Sequence, residues 1–341
     1  MASTTINPTH CPRINSRHQH QHGAVVEEID GLIRVYRDGH VERPPIVPIV
    51  TSTVAPELAV TSRDIVIDKL TSIWARFYVP QRHGQLPLLL YFHGGGFCIG
   101  SAAWSCYHSF LAQLAACAGC AIMSVNYRLA PENLLPAAYE DALEALKWVR
   151  REALCGSEER QWWSKKCNFS SIFLAGDSAG ANIAHNVATR LGSSKTWALR
   201  PLNIKGTILI QPFFGGEART YSEQYEQPPH SGLSLATADT YWRLALPPGA
   251  SRDHPWCNPV ADGSVKLEEL RLFPTMVCIS ERDIMKDREL EFCAAMAAAG
   301  KAVQHVVYEG VGHAFQVLNK SRLSETRTQE MISHIKSFIS Q

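Results

Sequence analysis

Apolar and β-branched residues gather in eight short runs along the chain, at 64–67, 73–79, 86–92, 121–126, 171–175, 204–210, 275–279 and 302–308. From the third run onward, amphipathic stretches separate most of them, at 107–118, 138–150, 179–191 and 290–299. Strand and helix in alternation predict a mostly parallel sheet covered on both faces. No helix separates the first two runs, which predicts an antiparallel edge. Ahead of this series, 32–37 and 40–43 flank Asp38-Gly39, the signature of a small hairpin.

One connection is too long for a simple link. About sixty residues lie between Phe213 and Pro274. They hold a helix candidate over 235–246, opened by Ser234 as N-cap and stopped by Pro247-Pro248-Gly249. The aromatic content of this insertion (Tyr225, Tyr241, Trp242, Trp256) favours a lid over simple padding. The expected organisation is a disordered, His-rich tail over 1–24 and a single domain over 25–341. Lid parts are expected at 25–60 and 214–273.

Composition narrows the functions available. The 341 residues are 45% hydrophobic and 19% charged, enough apolar material for one large core. Lys plus Arg (33) nearly cancels Asp plus Glu (32), and no block of one sign stands out, so neither nucleic acid nor an anionic membrane surface is an expected partner. The N-terminus lacks the apolar core of a secretory signal, and the apolar runs are shorter than a membrane span. The expectation is a cytoplasmic protein, possible also in the nucleus, with a small neutral or apolar molecule as partner. The ten cysteines are scattered in apolar stretches, which suits reduced thiols, and no pair of C-x-x-C motifs suggests a structural zinc. The pattern specifies no oligomeric state.

Gly176-Asp177-Ser178-Ala179-Gly180 is a G-x-S-x-G sequence placed between a buried-strand run and a helix candidate. That context predicts a strained turn that exposes the Ser178 hydroxyl at the C-terminal edge of the sheet. His93-Gly94-Gly95-Gly96 directly follows the run at 86–92. Three consecutive glycines cost backbone entropy, and their use is close approach of bare N–H groups to one point. Gly95, Gly96 and Ala179 are the expected donors of an oxyanion hole, with Gly94 the alternative if the loop is rotated by one residue. A phosphate loop would need a following Lys, which is absent.

Asp283 and His313 each lie just past a strand run, on the same sheet edge as Ser178. The order Ser, acid, His is that of α/β-hydrolases. Glu281 and Asp287 are rivals for the acid. Ser178, Asp283 and His313 therefore form the expected catalytic triad, and Phe97, Tyr241, Trp242 and Phe315 the expected substrate pocket. With this order, eight strands opening on an antiparallel pair fit an α/β-hydrolase sheet.

The stretches Tyr91-Phe92-His93-Gly94-Gly95-Gly96-Phe97-Cys98, Asn126-Tyr127-Arg128-Leu129-Ala130-Pro131-Glu132 and Gly176-Asp177-Ser178-Ala179-Gly180 resemble the plant carboxylesterases, in the hormone-sensitive-lipase-like group of α/β-hydrolases. The resemblance runs from about Glu28 to the C-terminus. It implies hydrolysis of small carboxylic esters with no metal or organic cofactor, with short-acyl or aromatic esters expected. It also implies that Tyr127 to Glu132 and Asp141 are structural braces near the site. The same group holds gibberellin receptors, which lack the triad histidine, and hydroxyisoflavanone dehydratases, which generally carry Thr at the nucleophile position. A lyase or a hormone receptor is thus the alternative reading, against which stand His313 and Ser178.

Overall fold

The structure is a computed structural model that describes residues 22–193, 199–225 and 232–341. All but the last three residues of the expected 1–24 tail lie outside the described residues. The chain falls into two compact units, one ending at Pro44 and the other spanning Pro45–Gln341. The division falls where two successive prolines follow a sheet that already pairs its own strands.

The first unit contains β1 (Val25–Ile29), β2 (Ile33–Tyr36) and β3 (Val41–Glu42), paired antiparallel in that order. The Asp38-Gly39 turn forms as expected, with Gly39 at φ 87° and the His40 N–H donating to Asp38 Oδ1 at 3.0 Å. The strand β1 was not read from the pattern.

The second unit is built on β4 (Val60–Asp68), β5 (Ile73–Pro80), β6 (Leu86–Phe92), β7 (Ala121–Asn126), β8 (Cys167–Asp177), β9 (Ile204–Ile210), β10 (Thr275–Ser280) and β11 (Val303–Tyr308). Its helices are α1 (Ser105–Ala118), α2 (Ala137–Cys155), α3 (Gln161–Ser164), α4 (Ala179–Ser193), α5 (Tyr221–Tyr225), α6 (Leu235–Ala245), α7 (Lys286–Ala298), α8 (Phe315–Leu318) and α9 (Arg322–Ile339). The strands form one eight-stranded sheet in the order β11-β10-β9-β8-β6-β7-β5-β4. Every pair from β11 to β7 is parallel, while β5 runs antiparallel to both β4 and β7. This is an α/β-hydrolase sheet with the antiparallel edge where it was expected.

Alternation along β5 shows how the sheet is covered. Phe77 packs on Trp163 of α3 at 4.7 Å and on Trp148 of α2 at 6.0 Å, whereas its neighbour Tyr78 joins the core that α1 and α9 build on the other face. The helix α9, not singled out by the pattern, supplies Met331, Ile332, Ile335, Phe338 and Ile339 to that core.

The insertion is knit together by charge. Arg219 and Arg252 both reach the Asp239 carboxylate on α6, at 2.6 and 2.7 Å. The N-cap of α6 is Ser234, whose Oγ accepts from the Thr237 N–H at 3.1 Å.

Candidate active site

Parallel strands deliver their following loops to one sheet edge, and four such loops converge here. Ser178 follows β8 directly, with φ 52°, a left-handed conformation that costs a non-glycine residue about 1–3 kcal/mol. Hydrogen bonds hold it there. Its N–H donates to the Ile210 carbonyl at 2.8 Å, and its own carbonyl accepts from Ala181, Asn182 and Phe213 at 3.0–3.1 Å. The turn passes so close to β6 that a Cβ on Gly180 would lie 1.9 Å from the Phe92 carbonyl oxygen.

The structure brings the three expected triad residues into one chain of hydrogen bonds. His313 Nε2 lies 2.8 Å from Ser178 Oγ, and His313 Nδ1 lies 2.6 Å from Asp283 Oδ2. Asp283 is fully buried, and its other oxygen accepts from the Met285 N–H at 3.0 Å. An ionised Asp283 accepts from Nδ1–H, which leaves the Nε2 lone pair facing the Ser178 hydroxyl. Burial pulls the His313 pKa down, but the charge of Asp283, its hydrogen bond and the charge of Asp177 outweigh that. The net result lies above the ordinary 6.5. The rival acids stand elsewhere: Glu281 accepts from the Gly310 N–H, and Asp287 from the Ser222 N–H.

The glycine loop corrects one expectation. The Gly94 N–H is already engaged, donating to Tyr107 Oη at 2.8 Å and to Asp177 Oδ1 at 3.1 Å, so the rotated-loop alternative does not hold. Among the described residues, the N–H groups of Gly95, Gly96 and Ala179 have no such partner. Gly95 (φ 112°) and Gly96 (φ 58°) both need glycine, since a Cβ on either would fall 2.2 Å from Ile99 O or from the Tyr241 ring. His93 braces the loop from within: its Nδ1 is 2.8 Å from the Gly94 carbonyl, it stacks on Tyr127 at 4.4 Å, and its carbonyl accepts from the Tyr127 hydroxyl at 2.8 Å. Burial lowers its pKa to about 4, which keeps the ring neutral.

Two bracing residues escaped the sequence reading. Asp177, the second residue of the G-x-S-x-G sequence, accepts from the hydroxyls of Tyr91 (2.8 Å) and Tyr107 (2.9 Å) as well as from Gly94. Burial pushes its carboxyl up to about 6 despite those donors. Gln211, buried and at φ 47°, donates through Nε2 to Ser280 Oγ at 2.8 Å and accepts from the Ala314 N–H at 2.6 Å, so it ties the β10 end to the His313 loop. A glutamine closing the apolar run at 204–210 was the only available signal. Arg128 and Asp141, which the resemblance implied as braces, form a bidentate pair.

Three of the four expected pocket residues cluster. Phe97 packs on Trp242 at 5.5 Å, Trp242 stacks on Phe213 at 4.6 Å, and Tyr241 covers Gly96. Phe315 does not join them: its ring packs on Tyr308 at 5.8 Å within the α1–α9 core, because α8 turns it inward. A cleft of about 730 Å³ beside α8, lined by Cys106, Phe110, Gln316 and Val317 among others, includes none of the three triad residues. Among the described residues, no group of three or more His, Cys, Asp or Glu side chains is placed to hold a metal, and no helix is long and apolar enough to cross a membrane.

The sheet and the site define an α/β hydrolase with a serine at the nucleophile turn. Residues 89–317 match the family described as having the alpha/beta hydrolase fold. The chain is 48% identical to a probable carboxylesterase 6 of Arabidopsis thaliana over 97% of this chain and 96% of that one. It is 34% identical to a 2-hydroxyisoflavanone dehydratase of Glycyrrhiza echinata, covering 92% of this chain and 95% of the other. An esterase from Pyrobaculum calidifontis superposes with a TM-score of 0.67 at 27% identity, over 86% of each chain. The chain belongs to the plant carboxylesterase family of α/β hydrolases, and it is an enzyme of the carboxylesterase class.

Proposed function

We propose that the chain hydrolyses small carboxylic esters through an acyl-enzyme on Ser178. The observation that carries this reading is the unbroken relay from Ser178 Oγ through His313 to Asp283, at 2.8 and 2.6 Å. Ser178 Oγ attacks the ester carbonyl carbon while its proton passes to His313 Nε2. The negative charge on the carbonyl oxygen is received by the N–H groups of Gly95, Gly96 and Ala179, each such donor worth about 10²–10³ in turnover. The C–O bond to the alcohol breaks, His313 returns the proton to the departing oxygen, and water repeats the sequence in reverse to free the acid. Asp283 orients the imidazole and stabilises its cation throughout.

The aromatic group of Phe97, Phe213, Tyr241 and Trp242 beside the glycine loop favours short-acyl or aromatic esters, with the 214–273 insertion acting as the lid. The test is hydrolysis of p-nitrophenyl acetate and butyrate by the wild type and Ser178→Ala. The expected loss is about 10⁶-fold in turnover, as for a serine hydrolase stripped of its nucleophile. Equal rates for the two proteins, or none for either, would overturn the reading in favour of elimination chemistry or ligand binding.

A further inference from the structure

The short helix α5 is built into the insertion, yet its two buried side chains, Ser222 and Glu223, reach the segment that follows Asp283. Thr220 and Glu223 form a capping box: the Thr220 N–H donates to Glu223 Oε2 at 2.9 Å, and the Glu223 N–H donates to Thr220 Oγ1 at 3.3 Å. This fixes Ser222 between them. The Ser222 hydroxyl donates to the Ile284 carbonyl at 2.8 Å and accepts from the Asp287 N–H at 3.2 Å, while the Ser222 N–H donates to Asp287 Oδ2 at 2.7 Å. Next to it, the Glu223 carboxylate receives Arg288 in a fork, Nε and Nη2 each at 2.9 Å, and Arg288 also donates to the Ala218 carbonyl. Ser222 and Glu223 are 0% and 1% exposed, so water does not compete for these bonds.

The bonds bracket one turn. Ile284 follows Asp283 directly, Met285 supplies the N–H that fixes Asp283 Oδ1, and Lys286 donates its N–H to the Asp283 carbonyl at 3.1 Å. Asp287 and Arg288 close the far side. The turn's own bonds set its shape, and the Arg282 N–H, donating to the Val311 carbonyl at 3.0 Å, ties its near side to the His313 loop; its far side is held from α5 by Ser222 and Glu223. An acid that orients a base must be held to within a fraction of an ångström, since misplacement by about 1 Å can cost 10²-fold in rate.

We infer that Ser222 and Glu223 are positioning residues for the catalytic acid, coupling the insertion to the Asp283–His313 pair. This rests on the reading of Asp283 as the acid of an ester hydrolase. The pair also explains why α5 buries two polar side chains, Ser222 and Glu223: they anchor this part of the insertion to the segment after Asp283.

The test uses the full chain carrying Ser222→Ala or the volume-conserving Glu223→Gln. Three quantities are read: kcat and KM on p-nitrophenyl acetate, the downfield proton resonance of the His313 Nδ1–H shared with Asp283, and the circular dichroism spectrum. Ser222→Ala should lower kcat by about tenfold to a hundredfold with KM nearly unchanged. The downfield proton should broaden or shift while the spectrum stays native. Glu223→Gln should move the same two readouts in the same direction by less. A folded Ser222→Ala protein with wild-type kcat and an unmoved proton overturns the inference. Should Ser222→Ala fail to fold, Glu223→Gln decides by the same criteria. Failure of the hydrolytic reading looks different: the wild type then shows no Ser178-dependent turnover, yet the proton still reports whether α5 sets the pair.

Discussion

The N–H of Gly94 donates to the carboxylate of Asp177 at 3.1 Å, which joins the glycine loop to the residue before Ser178. Tyr107 closes the triangle, its hydroxyl accepting from Gly94 and donating to Asp177. The first N–H of the loop is thereby consumed as a brace, while those of Gly95 and Gly96 have no backbone partner among the described residues. A loop of three glycines has no stiffness of its own, so its aim depends on this triangle.

Tyr107→Phe removes the hydroxyl and leaves one oxygen of the buried Asp177 without its donor. A lost buried hydrogen bond of this kind costs about 1–3 kcal/mol. The expected outcome is a stability loss in that range by urea unfolding. A fall in kcat of about tenfold, with KM unchanged, should accompany it, below the 10²–10³ for losing a whole oxyanion donor. Unchanged kcat in the folded variant would mean that the glycine loop holds its aim without Tyr107.

The acid assignment separates two neighbours. Asp283→Asn leaves the shape intact but reverses the donor facing His313, and should lower kcat about 10⁴-fold, as in other serine hydrolases. Glu281→Gln should leave kcat within about twofold, since Glu281 accepts from the Gly310 backbone N–H at the protein surface, away from His313. Parallel kinetics on the two variants decide the matter, and a larger loss for Glu281→Gln would reassign the acid.

These assignments show which parts of the site are written locally. Ser178, Asp283 and His313 each follow a strand that an apolar run announces, so order and spacing were enough to place them on one edge. The roles of Gly94 and Gln211 were not legible. The Gly94 N–H is aimed by Tyr107 and Asp177, thirteen and eighty-three positions away. Gln211 bridges two loops that meet only in the folded sheet. Phe315 misled for a related reason: closeness to His313 in sequence says nothing of which way α8 turns its ring.

The pH profile follows from the charges around His313. A protonated imidazole cannot take the Ser178 proton, so kcat/KM should rise with pH. Asp283 and Asp177 outweigh burial, so the midpoint should lie above 6.5. Stability runs the other way: the raised His313 pKa contributes stability that is full below 6.5 and is lost as pH rises through the folded-state value. Initial rates on p-nitrophenyl acetate from pH 5 to 9 check the first point. A flat profile would remove His313 from the role of base.

Glu289 on α7 carries the sharpest stability prediction. It is fully buried, and neither carboxylate oxygen has a hydrogen-bond partner among the described residues. Burial, reinforced by the charge of Asp283, raises its pKa well above the ordinary 4.5. Between 4.5 and that raised value, the fold therefore holds a proton on Glu289 that the unfolded chain has released. Between the two pKa values the native state binds one more proton than the unfolded state, so stability falls as pH rises, by about 1.4 kcal/mol per unit from this group. Glu289→Gln keeps the volume and cannot ionise. Relative to the wild type it should gain stability above pH 4.5, and the gain should widen with each unit until the folded-state pKa is reached. Urea unfolding of both proteins at pH 5, 6, 7 and 8 measures that divergence. Parallel stability curves would show that Glu289 is ionised in the fold and paired with something that compensates its charge.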